Sequence, residues 1–373
     1  MIEKKVLQVV SCLELGGTEA FIMNNYRQMD RSKIQFDFLV FVEKDYPYTK
    51  EIQRMGGRIF FCGTPQLKRV KKFLQIVQQI IKENGPYDAV HSHVNIANGW
   101  VLLAAKKAKV PIRISHSHDT AGKGKRKLYR KLEEIIIKKS ATHYLACSEV
   151  AGAYLYGKKY FKVKGQVLCN GIQLGRFISL EDTLHELKKE FKVSEEACVI
   201  GNITRFEPKK NPLFTLEVFS EILKIKPNAV LLLGGPDGGQ LDAVKKRAKE
   251  LNIENAVRFI GPRTDIPQCL QLIDIYLFPS LFEGLGIALL EAQASGCECF
   301  ASTGVSKEAD MGLGTAHFLD LKDSPADWAE KIISCYEKRV CPSKAQIEKA
   351  FSVRGYNIEE SSKELLKIYE GKQ

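Results

Sequence analysis

Pro279-Ser280-Leu281-Phe282-Glu283-Gly284-Leu285-Gly286-Ile287-Ala288-Leu289-Leu290-Glu291-Ala292 is the stretch on which the fold and the function of this chain both turn. The run before it, Ile275 to Phe278, is short and apolar and reads as a buried strand, while Ile287 to Ala294 reads as a helix. Glu283 then falls on the loop at the strand's carboxyl end, and Glu291 about two turns into the helix. Glycine at 286 lets the backbone amides at the helix start, Gly286, Ile287 and Ala288, come close to an anion. Amides for phosphate beside carboxylates for hydroxyl groups suit a sugar nucleotide.

At 373 residues the chain is long enough for about two domains, each with its own core. No apolar run reaches the roughly 18 residues of a membrane span, and the N-terminus enters a strand-like segment at once, without a signal peptide's apolar region. These features predict a cytoplasmic protein. Ten cysteines are scattered without a paired framework, and Cys297-x-Cys299 has no second ligand cluster at zinc spacing. They read as reduced thiols. Charge is unevenly placed: residues 1–170 hold 30 Lys/Arg against 14 Asp/Glu, +16, whereas residues 171–373 hold 26 against 30, −4. The basic half predicts an anionic partner.

Strand-like and helix-like segments alternate twice along the chain. In the first half the strands are Val6 to Val10, Phe36 to Phe41, Arg58 to Phe61, Ala89 to His91, Ile112 to His116 and Tyr144 to Cys147. Helical periodicity falls between them at Glu19 to Met29, Phe73 to Lys82, Ile96 to Lys109 and Lys127 to Lys139. In the second, Val199 to Ile203, Val230 to Leu233, Val257 to Ile260, Ile275 to Phe278 and Glu298 to Ala301 are strands, and Pro212 to Ile225, Gln240 to Leu251 and Ile287 to Ala294 helices. Such alternation predicts α/β architecture with two doubly wound, Rossmann-like parallel sheets. The Asn170-Gly171 turn marks the join. The expected domains are 1–171, 172–352 and a terminal amphipathic helix within 353–373. Ligands bind such sheets at the carboxyl ends of their strands.

Four further segments sit at such ends. Leu13-Glu14-Leu15-Gly16-Gly17-Thr18-Glu19 joins the first strand to the first helix, with Thr18 a candidate cap and Gly16 and Gly17 allowing close backbone approach. It is not the G-x-G-x-x-G fingerprint, which weighs against a nicotinamide dehydrogenase. His116-Ser117-His118-Asp119 ends another strand, where His116 and His118 would share one face. His91-x-His93 is a second such pair. Arg205 and Lys210 follow the first strand of the second half.

The E-x7-E pair of Glu283 and Glu291, with its preceding Pro-Ser and following E-A-x-A-S-G, resembles the signature of family-4 retaining glycosyltransferases of GT-B fold. Arg205 and Lys210 resemble the family's diphosphate-binding pair, the Gly16-Gly17 loop its G-G-x-E loop, and Asn170-Gly171-Ile172-Gln173 its N-G-I-D linker, with glutamine where aspartate is usual. The resemblance implies two domains facing a cleft, with the last helix crossing back to the N-terminal one. It implies that Glu291 holds the donor's ribose, Glu283 the sugar's hydroxyls, and Arg205, Lys210 and the amides of Gly286, Ile287 and Ala288 the diphosphate. Fixed cations there would stabilise charge rising on the leaving group. Phe259, Ile260, Gly261 and Pro262 would lie around the base, and Gly16 and Gly17 would face the acceptor and the donor phosphate. A histidine would line the sugar at the reaction centre; His118 is favoured for its place further along the loop, with His116 left open.

The reaction implied is sugar transfer from a nucleotide sugar, UDP foremost, with retention and without a metal or other cofactor; the chain has no D-x-D motif. The H-S-H-D variant and basic face are similar to bacterial capsule and exopolysaccharide enzymes, which implies a lipid-linked glycan acceptor. Six cations between Lys123 and Lys131 run into the apolar Leu132 to Ile137, a pattern that predicts peripheral contact with the anionic inner face of the membrane. The competing readings are a GT-B sugar-nucleotide 2-epimerase and, of a different class, a basic nucleic-acid-binding protein. The latter has no use for the two glutamates, so no nucleic acid is expected as partner.

Overall fold

The computed structural model describes residues 3–14, 16–118, 127–178, 181–283, 285–339 and 341–372. The chain forms two compact units, Met1–Gly171 with Ile358–Gln373 and Ile172–Asn357.

The first unit is built on a seven-stranded sheet: β1 (Lys4–Val10), β2 (Ile34–Val40), β3 (Ile59–Phe61), β4 (Ala89–Ser92), β5 (Ile112–Ser117), β6 (His143–Ala146) and β7 (Gly165–Val167). The order is β3-β2-β1-β4-β5-β6-β7, with every pairing parallel. Both faces are covered, which a parallel sheet requires. Val6 and Val10 pack with Phe21, Tyr26, Phe36 and Tyr369, whereas Leu7 and Val9 pack with Phe73, Val77 and Leu102. The alternation along β1 thus sends successive side chains to opposite cores. The terminal helix, Ile358–Tyr369, lies on the first helix, Gly17–Gln28, where Ser362 donates to Asn25 at 2.8 Å.

The second unit repeats the plan with β8 (Val199–Ile203), β9 (Val230–Gly234), β10 (Val257–Gly261), β11 (Ile275–Phe278), β12 (Glu298–Ser302) and β13 (Ala316–Leu319). Its order is β10-β9-β8-β11-β12-β13, again all parallel. Each sheet therefore reverses its winding once, between β1 and β4 and between β8 and β11. Loops part at those points and leave crevices at the strands' carboxyl ends.

Two local expectations are corrected. The first helix begins at Gly17 with Gly16 as its cap, so Thr18 lies inside the helix rather than capping it. Glu291 stands four residues after Ile287, a little over one turn into its helix rather than two, because the helix starts only after Gly286. Ser148 caps the helix Glu149–Tyr156, accepting from the Ala151 amide. All ten cysteines are free thiols. Among the described residues no helix is long and apolar enough to cross a membrane.

Candidate active site

In the second unit the winding reverses between β8 and β11, and the loops after those two strands carry the residues the sequence singled out. Asn202 on β8 donates to the Leu277 carbonyl of β11 at 2.8 Å, and the Tyr276 hydroxyl reaches back to the Ile203 carbonyl at 3.1 Å. These bonds fix the two strand ends against each other. Beyond them the Leu281 amide donates to the Lys209 carbonyl at 2.8 Å, which locks the two loops together. The Glu283 amide donates to Gly304, so a third loop supports the second.

On this frame Lys210 and Glu283 form an ion pair, both side chains largely covered, with the ammonium 5.2 Å from the Phe278 ring centre. Arg205 is half-buried; its carbonyl accepts from the Glu207 amide at 2.8 Å, while its guanidinium makes no ion pair or hydrogen bond among the described residues. Gly286 has φ +79°, and a Cβ there would come within 3.0 Å of the Phe278 ring. That is a left-handed cap that glycine adopts without penalty. The Ile287 and Ala288 amides belong to the first turn, where no intrahelical acceptor exists. Glu291 is partly covered, and its carboxyl is pushed up to about 7 because burial penalises the charged form; Arg176 opposes the shift. Arg176 is the cation that sequence reading missed, since it lies just past the linker and far from Glu291 along the chain.

Phe259, Ile260 and Gly261 close β10, and Pro262 follows on an exposed turn. The Gly261 carbonyl accepts from the Gly235 amide at 2.8 Å, joining the loop after β9 to the loop expected to flank a base. Arg263 beside them is occupied by Asp265 and Glu190, at 2.5 and 2.6 Å.

The first unit's reversal point, between β1 and β4, lies beside a second polar group. At the end of β1, a Cβ on Gly16 would lie 2.5 Å from Glu19 Oε2, so a larger residue there would have to push the Glu19 carboxylate aside. His91 lies on β4 and His116 on β5, with His93 and His118 just beyond the strand ends; His91, His93 and His116 are buried and His118 is half-buried. The rings of His116 and His118 stand 4.1 Å apart, as their shared strand face requires. Asp119 and the basic stretch 123–126 lie outside the described residues. In the helix Lys127–Ser140, Leu132 and Ile135 are exposed and Ile137 is buried.

Comparison with known proteins places this geometry. Residues 15–176 match the family described as Glycosyltransferase Family 4, and residues 185–352 match Glycosyl transferases group 1. EpsF of Bacillus subtilis (strain 168), named as a glycosyltransferase, is 33% identical over 98% of this chain and 96% of its own. The UDP-Gal:alpha-D-GlcNAc-diphosphoundecaprenol alpha-1,3-galactosyltransferase of Escherichia coli is 28% identical over 77% of this chain and 76% of its own. Among solved structures, Anabaena HepE in complex with UDP and glucose superposes with a TM-score of 0.81 at 16% identity, covering 99% of this chain and 100% of that one. The fold is GT-B. Two family matches that together run through both units, and a full-length relative at one-third identity, lead to one statement: the chain belongs to the family-4 glycosyltransferases.

Proposed function

We propose that this glycosyltransferase moves a sugar from a UDP-sugar to a glycan carried on a lipid diphosphate, with retention and without a metal, in the assembly of a capsular or extracellular polysaccharide. The observation that carries the reading is the β8/β11 reversal point: Arg205 and Lys210 follow β8, and Glu283, the first-turn amides of Ile287 and Ala288 and the Glu291 carboxyl follow β11, with Lys210 and Glu283 joined as an ion pair. Cations and amides of this kind stabilise a diphosphate leaving group without a divalent ion. Glu291 would hold ribose, Glu283 the sugar, and Phe259 to Pro262 the base, with His118 or His116 lining the sugar. Gly16 and Gly17 would face the acceptor.

UDP as the nucleotide is supported by the UDP bound in the HepE structure and by the donor in the name of the Escherichia coli relative, and a lipid-linked acceptor by that same name. The exposed Leu132 and Ile135, on a helix flanked by lysines, support a protein that rests on an anionic membrane. The test is incubation with a panel of UDP-sugars and a synthetic lipid-diphosphate saccharide. Release of UDP with an extended lipid product bearing the donor's own anomeric configuration is expected. Inversion would refute retention. Conversion of UDP-N-acetylglucosamine alone to its 2-epimer would replace transfer by epimerisation.

A further inference from the structure

The first sheet's face toward the helices Gly17–Gln28 and Ile358–Tyr369 carries a polar stripe amid apolar packing. Gln8, His91, His93, His116 and His118 alternate along their chains with residues of the opposite face and are joined by hydrogen bonds into two branches. Tyr369 of the terminal helix and Gln8 sit at the fork, with Gln8 Nε2 donating to the Tyr369 hydroxyl at 3.0 Å. One branch runs from the Tyr369 hydroxyl to His91 Nδ1, 2.7 Å, and from His91 Nε2 to His116 Nδ1, 3.1 Å. The other runs from Gln8 Oε1 to His93 Nε2, 2.9 Å, and from His93 Nδ1 to His118 Nε2, 2.8 Å. Within this network, and among the described residues, only His116 Nε2 and His118 Nδ1 lack a hydrogen-bond partner, and both atoms are buried.

Counting protons along the branches settles what those two atoms are. Burial holds all four rings below the ordinary histidine range, with mutual repulsion adding for His91, His93 and His116, so each ring is neutral and carries one proton. Gln8 Oε1 accepts, so His93 Nε2 is protonated and His93 Nδ1 accepts from His118 Nε2–H. His118 Nδ1 is left as a bare lone pair. The Tyr369 proton goes to His91 Nδ1, the acceptor beside it, because a buried hydroxyl proton with no acceptor would cost about 1–3 kcal/mol. His91 Nε2–H then donates to His116 Nδ1, and His116 Nε2–H is left as an unpaired donor.

We propose that Gln8 and Tyr369 are positioning residues that hold all four histidines in the Nε2–H tautomer, so that the site offers one lone pair at His118 and one N–H at His116. A hydroxyl group complements that pair, giving its proton to His118 Nδ1 and accepting from His116 Nε2. Resting on the transfer reading above, this assigns a sugar hydroxyl as the ligand. A metal at His91, His93 and His116, one ring nitrogen of each lying within 4.8 Å of the others, would require lone pairs that these hydrogen bonds already occupy.

Long-range 1H–15N spectra of the full-length, EDTA-treated chain at pH 7.5 test this, with ring signals assigned by single His→Gln variants. Four Nε2–H patterns are expected. Tyr369→Phe should turn His91 and His116 into tautomer mixtures and spare His93 and His118; Gln8→Leu should do the reverse. A merely structural role moves neither pair selectively. Melting curves and UDP affinity show whether each variant is folded, and either variant alone suffices if the other is not. Nδ1–H or mixed patterns in the unaltered protein, or unchanged spectra in a folded variant, would overturn the proposal. So would one equivalent of zinc shifting three of the rings together. The spectra do not depend on turnover: the expected patterns without sugar transfer would sink the transfer reading and leave the tautomers standing.

Discussion

Glu283 and Glu291 sit on different elements and in different electrostatic surroundings, so neutralising each should fail differently. Glu291→Gln removes a charged acceptor for ribose, a hydrogen bond of about 1.5–3 kcal/mol, and should weaken UDP roughly ten- to a hundredfold. Glu283→Gln should leave UDP affinity near that of the unaltered protein and lower turnover. Equal UDP affinity in all three proteins would remove ribose from Glu291. The pH dependence follows from the carboxyl at about 7, raised by burial. Ribose hydroxyls favour the ionised form, so UDP should bind more tightly as pH rises from 6 to 8, releasing a proton, and Glu291→Gln should flatten that slope. For the free protein the sign is opposite. A folded-state pKa above the unfolded one gives a contribution present in full below the unfolded value and lost as pH rises through about 7. Glu291 should therefore make the free chain less stable at pH 8 than at pH 5. Both glutamates were legible because a loop, a glycine and an apolar helix bracket them within one stretch. Tyr369 was not: it meets Gln8 across 361 residues, and no local pattern encodes such a contact.

At the scale of elements, the helix Ile287–Ala294 depends on its glycine cap. Gly286→Ala would hold a Cβ in the left-handed region, a cost of about 1–2 kcal/mol, and press it against Phe278. A melting temperature lower by several degrees is expected, together with weaker UDP binding as the first-turn amides turn away. An unchanged melting temperature with unchanged UDP affinity would show that the cap carries neither stability nor the anion site. Strands such as Val199–Ile203 and Ile275–Phe278 could be read to the residue because they are continuous apolar runs bounded by polar loops. β7 was missed, since its three residues are partly exposed and show no alternation. The helix Pro325–Glu337 was missed despite a readable signal, a capping box in which Ser324 and Asp327 exchange hydrogen bonds.

For the whole molecule, the +16 charge of residues 1–170 predicts attachment to an anionic surface. Basic residues near such a leaflet contribute about 1 kcal/mol each, an attraction that salt screens. Binding to anionic vesicles should fall as salt rises and drop when Lys125, Arg126 and Lys127 become glutamine; binding that ignores salt would show that the basic face is only solvated. The diphosphate is the charge that the second unit's cations and helix-start amides are proposed to meet. If Arg205, Lys210 and the amides of Ile287 and Ala288 neutralise it, no divalent ion is needed. Calorimetric titration of the full chain with UDP in excess EDTA tests this most directly. One UDP per chain is predicted, with affinity reduced at least tenfold in Arg205→Ala and Lys210→Ala. No binding in EDTA, restored by magnesium or manganese, would contradict the account.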